Sequence, residues 1–288
     1  MVWSGKLLTL RDGTLVNWMS LVDFERILLR KAGEAIHRFR MIREGDRVAV
    51  AVSGGKDSVS LLEVLLLLQK RAPINFSLCA FTVEQGKFLS AVEPVGEYIR
   101  SLGVQWTCHT DNPSLRLLEE QPDHGCDMCS RFRRRAVYQI GAELGANVIA
   151  FGHTADDFCE SLLRNMMYTG RLSALPAITW SRKKDFRLIR PLVYVTEEIT
   201  RGYVESKGVP VVPCGCSLRT GTVRRGIRET IAEWEQEHPY IRENILTAMG
   251  NLQHGRLLDT RYIDLDGEPE EPKTVVTGSE LLPILQEA

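Results

Sequence analysis

The chain has 288 residues, 44% of them hydrophobic, enough for the core of one large or two modest domains. Its longest apolar run, Val64 to Leu68, falls far short of the ~20 residues of a membrane span, and Met1 to Leu10 lacks the form of a secretory signal, so a cytoplasmic protein with no membrane partner is expected. A formal net charge of -1 excludes a nucleic-acid footprint spread over the whole surface, and seven cysteines in a cytosolic chain point to metal or catalysis rather than a disulfide framework.

In chain order, residues 1–20 read as a small hairpin, with Leu7 to Leu10 and Thr14 to Trp18 joined by an Arg-Asp-Gly turn. No cysteine precedes Cys79, which excludes a zinc site at this end. Residues 21–42 have the period of an amphipathic helix, with Leu21, Phe24, Ile27, Leu28 and Ala32 on one stripe. From Asp46 the pattern alternates: strand 48–52 and helix 57–71, strand 76–83 and helix 90–102, strand 104–109 and a helix through 131–144, strand 147–151 and helix 155–168. That alternation predicts an α/β fold, a doubly wound parallel sheet with small N- and C-terminal extensions. Pro176, Pro191, Pro210 and Pro213 break up the next stretch around a short helix at 196–207; the last clear helix covers 222–237. Beyond Asn251 the chain is polar and acidic, closing on a short helix at 279–287. The expected division is a hairpin and helix over 1–45, a nucleotide-binding domain over 46–212, a cysteine loop and basic helix over 213–250, and an acidic tail over 251–288.

The stretch that organises the rest is Val48 to Val52 followed by Ser53-Gly54-Gly55-Lys56-Asp57-Ser58 and an apolar helix. Two glycines let the backbone take positive φ and approach a ligand closely. The N–H groups of the loop and first helical turn then converge with the positive end of the helix dipole behind them. Ser53, Ser58 and Lys56 add donors, so the loop suits a phosphate. Asp57 beside a phosphate needs a cation between them, for which Mg²⁺ held by carboxylate and phosphate oxygens is the fitting choice. The plain alternative is a tight turn whose Asp and Ser only cap a helix. In a doubly wound sheet ligands sit at the carboxyl ends of the strands, where this loop, Thr82 to Glu84 and Gly152-His153 all fall.

Cys126-Asp127-Met128-Cys129 is followed by Ser130-Arg131-Phe132-Arg133-Arg134-Arg135, and Pro213-Cys214-Gly215-Cys216 supplies two more thiols. Spacing leaves three readings open: a Cys₄ zinc site, a redox dithiol at Cys126 and Cys129, or an iron–sulfur cluster on Cys126, Cys129 and one of Cys214 or Cys216. Cys79, Cys108 and Cys159 read as small buried hydrophobes.

Ser-Gly-Gly-Lys-Asp-Ser resembles the PP-loop of the ATP-pyrophosphatases, which split ATP to AMP and pyrophosphate. With the C-x-x-C-S-R-x-R-R run, Gly152-His153-x-x-Asp156-Asp157-x-x-Glu160-Ser161 and Pro213-Cys214, in this order over about residues 20–235, the chain is similar to the tRNA 2-thiocytidine synthetase family. The resemblance implies an adenine-nucleotide alpha-hydrolase-like fold, ATP and Mg²⁺, and a 4Fe–4S cluster on Cys126, Cys129 and Cys214 whose free iron takes up sulfide. Here Cys214-Gly215-Cys216 replaces the family's usual second C-x-x-C, which keeps Cys216 as the alternative third ligand. The resemblance also implies contacts from Gly152, His153 and Asp157 to the ribose and adenine of ATP, although family members often carry His or a basic residue at Thr154 and Ala155.

The implied activity is an ATP-dependent sulfurtransferase that adenylates the C2 oxygen of a tRNA cytidine and replaces it by sulfur. Lys56, Asp57, Cys126, Cys129 and Cys214 would carry the reaction, with Ser53, Gly54, Gly55, Ser58 and Thr82 completing the ATP site. Arg131, Arg133, Arg134, Arg224, Arg225 and Arg228 flank the cysteines and would bind RNA, unless they form ordinary solvated helix faces. The expected partners are tRNA, a sulfur donor (cysteine desulfurase or free sulfide) and, in a homodimer, a second copy of the chain. The same cluster acting on a non-tRNA or small-molecule acceptor, or a non-catalytic iron–sulfur sensor, are the competing readings.

Overall fold

The computed structural model describes residues 7–9, 15–17, 21–86, 88–120, 126–183, 185–212 and 222–263. Cys214, Cys216, residues 264–288 of the acidic tail and the helix expected at 279–287 lie outside the described residues. Strands β1 (Leu7–Thr9) and β2 (Leu15–Asn17) pair antiparallel, as the hairpin pattern predicts. Helix α1 (Leu21–Arg38) follows, and the main sheet then builds from β3 (Arg47–Ala51), β4 (Ser77–Glu84), β5 (Gln105–Thr110), β6 (Val148–Phe151), β7 (Ile178–Trp180) and β8 (Arg187–Ile189).

Strand order is β5-β4-β3-β6-β8-β7, parallel throughout except for β7 against β8. Each βα unit places an apolar strand on its neighbour and covers it with a helix: α2 (Lys56–Gln69), α3 (Glu93–Ser101), α5 (Cys126–Glu143) and α6 (Ala155–Thr169). Side-chain alternation divides the core into two faces. Val48 and Val50 pack with Phe24, Leu28, Leu61, Leu65 and Tyr203. Ala49 turns the other way, to Phe81, Ile140, Ile149 and Phe186. Helix α1 shares the first core with α2 and with α7 (Glu197–Lys207), so residues 21–45 pack as part of the sheet domain rather than beside it.

The sequence reading missed four elements. Helix α4 (Asn112–Glu120) lies in a stretch read as a connection, with Pro113 in the first turn, where no N–H is needed. Strands β7 and β8 are three residues each, too short to show a period, and β8 begins with a charge. That charge, Arg187, is buried; it pairs with buried Asp46, and its Nε donates to the Met41 carbonyl at 3.1 Å. Helix α9 (Ile241–Met249) follows α8 (Thr222–Glu237) after Pro239 and packs Ile245 and Leu246 onto Cys159 and Leu163 of α6. Cys79 and Cys159 are buried as expected, whereas Cys108 is exposed on β5, the edge strand of the sheet. Burial, with Glu235 and Glu160 nearby, pushes the Cys159 thiol up to about 12, which makes it inert. Among the described residues no helix is long and apolar enough to cross a membrane.

Candidate active site

Strand order reverses between β3 and β6, and the crevice outside their carboxyl ends is where such a sheet binds ligands. The loop leaving β3 fills that position. Gly54 has φ +77°, a conformation that side chains disfavour, and its carbonyl accepts from Val212 N at 2.8 Å. Gly55 caps α2 from an extended conformation. Ser58 Oγ donates to the Gly55 carbonyl at 2.8 Å and accepts from Ser53 N at 3.0 Å, closing the loop on itself. The first N–H groups of α2 have no partner inside the helix and face the crevice end of the sheet.

Lys56 and Asp57 meet there, but not alone. Lys56 Nζ donates to Asp57 Oδ2 at 3.0 Å and to Glu197 Oε2, on α7, at 3.1 Å. Thr200, one turn further along α7, donates to the other Asp57 oxygen. Burial raises the Asp57 carboxyl above its ordinary value, opposed by Lys56 and by the Thr200 hydrogen bond. Sequence reading did not find Glu197 or Thr200. They lie 141 and 143 residues from their partners, and nothing local marks them.

The β6–α6 junction abuts the same loop. A Cβ on Gly152 would stand 2.9 Å from the backbone of Asp57 and Ser58, so only glycine permits this approach. Both aspartates of the junction cap helices. Asp157 Oδ2 accepts from Thr154 N at 2.9 Å in a capping box, and Asp156 Oδ2 accepts from Glu197 N at 2.8 Å at the start of α7. The other Asp157 oxygen pairs with Arg224. Thr82, expected at the ATP site, is fully buried, and its Oγ1 accepts from Trp106 Nε1 at 3.0 Å.

Burial lowers the pKa of His153 to about 4, resisted by Asp157 and reinforced by Arg190, Arg224 and Arg133. The folded chain thus keeps His153 neutral where the unfolded chain takes up a proton near pH 6.5. This contribution to stability is full above pH 6.5 and declines as pH falls from 6.5 towards 4. Melting temperatures measured stepwise through that window should fall more steeply for wild type than for His153→Gln; parallel curves would count against a buried, neutral His153.

The basic residues divide into two groups. Arg224 and Arg228 are committed to internal carboxylates. Glu160, buried, accepts from Arg224 Nε and from Arg228 Nε at 2.6 Å each, and Arg228 also reaches Glu197 at 3.0 Å. Ion pairs thus run from α8 through Glu197 to Lys56. Arg225 is exposed and pairs with Glu229 at 2.8 Å. On α5, Arg131, Arg133 and Arg134 are exposed, with Arg133 Nε donating to Gln85 Oε1 at 3.0 Å.

Cys126 and Cys129 fall in the first turn of α5, three residues apart. Their side chains, like all of residues 213–221, lie outside the described set. Among the described residues no three His, Cys, Asp or Glu gather as a metal site.

The profile of the PP-loop domain family matches residues 26–233. The tRNA-cytidine(32) 2-sulfurtransferases of Escherichia coli O127:H6 and Cronobacter sakazakii are each 36% identical over 265 residues, 91% of this chain and 85% of theirs. The solved U34-tRNA thiolase NcsA from Methanococcus maripaludis, with its 4Fe–4S cluster, superposes with a TM-score of 0.63 over 83% of this chain and 80% of its own. At 19% identity that is a likeness of fold.

Proposed function

We infer the function from one premise: the chain belongs to the PP-loop domain family and, within it, to the tRNA-cytidine(32) 2-sulfurtransferases. It uses ATP to replace the C2 oxygen of a tRNA cytidine by sulfur. A pyrimidine carbonyl oxygen is a poor leaving group. Its attack on the α-phosphate of ATP expels pyrophosphate and leaves the oxygen carrying AMP. Sulfide then bonds to C2 and AMP departs with that oxygen.

The observation that carries this reading is the Ser53–Ser58 loop, with its Lys56 and Asp57, at the carboxyl end of β3, while α5, which opens on Cys126 and Cys129, is tied to the carboxyl end of the neighbouring β4 through Arg133 and Gln85. The loop N–H groups and Lys56 would stabilise charge on the separating phosphates, and Asp57 would hold Mg²⁺ against them. Gly54 and Gly152 let Val212 and the β6–α6 junction close against the loop, Ser53 remains an exposed donor, and Ser58 holds the loop shape. Gly152 brings His153 and Asp157 beside the same crevice.

A 4Fe–4S cluster would be held by Cys126, Cys129 and Cys214, with Cys216 as the alternative third ligand, and bound there it supplies an iron site for sulfide. Cysteine desulfurase or free sulfide is the proposed donor. For RNA binding the candidates are the exposed Arg131, Arg133 and Arg134 of α5 and Arg225 of α8, together with Arg224 and Arg228, which also neutralise internal carboxylates.

The test is direct. Anaerobically prepared protein is incubated with Mg²⁺, ATP, sulfide and unmodified tRNA, and the nucleosides are analysed by mass spectrometry. One 2-thiocytidine should form per AMP and pyrophosphate released. AMP formation with no sulfur in the RNA would sink the reading.

A further inference from the structure

Beside the phosphate loop is a small polar pocket of about 120 Å³, lined by His153, Asp157, Glu160, Ser161, Arg164 and Arg224. At ~30 Å³ per water it holds about four, suited to one six-membered ring rather than a whole nucleotide. Three of its features indicate a ligand. First, His153 Nδ1 is one of three buried side-chain N or O atoms among the described residues that lack a hydrogen-bond partner. Native interiors leave few such atoms unsatisfied.

Second, the lining charges cancel, with Arg164 and Arg224 against Asp157 and Glu160. A phosphate would be repelled by the carboxylates, whereas a neutral ring with both donors and acceptors would not. Third, the pocket begins one residue after Gly152, whose close approach to Ser58 places it against the phosphate loop. Leu175 supplies an apolar wall against which a ring can lie flat.

We propose that this pocket receives the unstacked acceptor cytosine, with His153 and Arg164 donating to its ring nitrogen and carbonyl edge and the carboxylates of Asp157 and Glu160 accepting from its exocyclic amine. The proposal rests on the tRNA-cytidine reading above and assigns specificity within it. Uracil carries a carbonyl where cytosine carries that amine, so the same carboxylates would repel it.

Three stem-loop RNAs carrying cytosine, uracil or an abasic site at the acceptor position separate the outcomes. Fluorescence anisotropy with the cluster-bearing protein should show cytosine preferred over the other two by about tenfold or more, the scale of one good base-edge pairing. Arg164→Ala, at an exposed position, and His153→Asn should each shrink that preference several-fold, with the fold checked by circular dichroism. Should His153→Asn fail to fold, Arg164→Ala alone decides. Equal affinity for the three RNAs in wild type, or an unchanged preference in the variants, would overturn the pocket while leaving the thiolation reading in place. Failure of the wild type to bind any of them would remove the reading itself, and the pocket with it.

Discussion

Lys56→Ala is expected to lower the rate of ATP cleavage by about 10²–10³, equivalent to roughly 2.7–4 kcal/mol, the scale seen when one preorganised donor to a developing negative charge is removed. Lys56 contributes more than one cation. It lies between Asp57 at 3.0 Å and Glu197 at 3.1 Å, so its loss leaves two carboxylates facing the place where triphosphate must enter. Nucleotide binding and the chemical step should therefore suffer together. Lys56→Arg keeps the charge but spreads it over a planar fork larger than the ammonium, and it should recover only part of the rate. Steady-state pyrophosphate release against ATP concentration measures both effects. Cleavage by Lys56→Ala at the wild-type rate would show that the loop binds something other than phosphate.

Cys126→Ala and Cys129→Ala are each expected to abolish thiolation, with Cys214→Ala behaving alike and Cys216→Ala retaining activity. Under the proposed assignment Cys126 and Cys129, in the first turn of α5, and one cysteine of Cys214 and Cys216 would hold three irons of a cluster, with the fourth iron left for sulfide. Removing any of the three should cost the cluster itself. Iron and sulfide analysis of anaerobically purified protein should give about four of each in wild type and in Cys216→Ala, and little in the other variants. Retention by Cys214→Ala with loss in Cys216→Ala would move the third ligand two residues along. Stoichiometric zinc without iron would leave an ATP-dependent enzyme with a structural metal.

The pairing of Arg224 and Arg228 with Glu160, Glu197 and Asp157 bears on both experiments. It anchors α8, which begins just after the cysteine loop, to α6 and to the α7 carboxylate that also holds Lys56. A basic cluster can be an RNA surface or half of an internal ion-pair network, and its residue types are the same in both cases.

That ambiguity marks the boundary between what the chain shows alone and what packing adds. Sequence by itself determined the phosphate loop, the βα order and the C-x-x-C, because each is written in contiguous residues. A β-branched run, two glycines and an apolar helix fix a local backbone geometry whatever lies elsewhere in the chain. Packing decided the partners. Glu197 and Thr200 reach Asp57 and Lys56 only because α7 lies over α2, and Thr82 is withdrawn from the site because Trp106 on the neighbouring strand takes its hydroxyl. Arg187 became a core residue, against the ordinary rule for charge, because β8 laid it beside Asp46. These outcomes depend on which side chains meet after the sheet has assembled, and hydrophobic period and turn chemistry carry no information about a meeting 141 residues away.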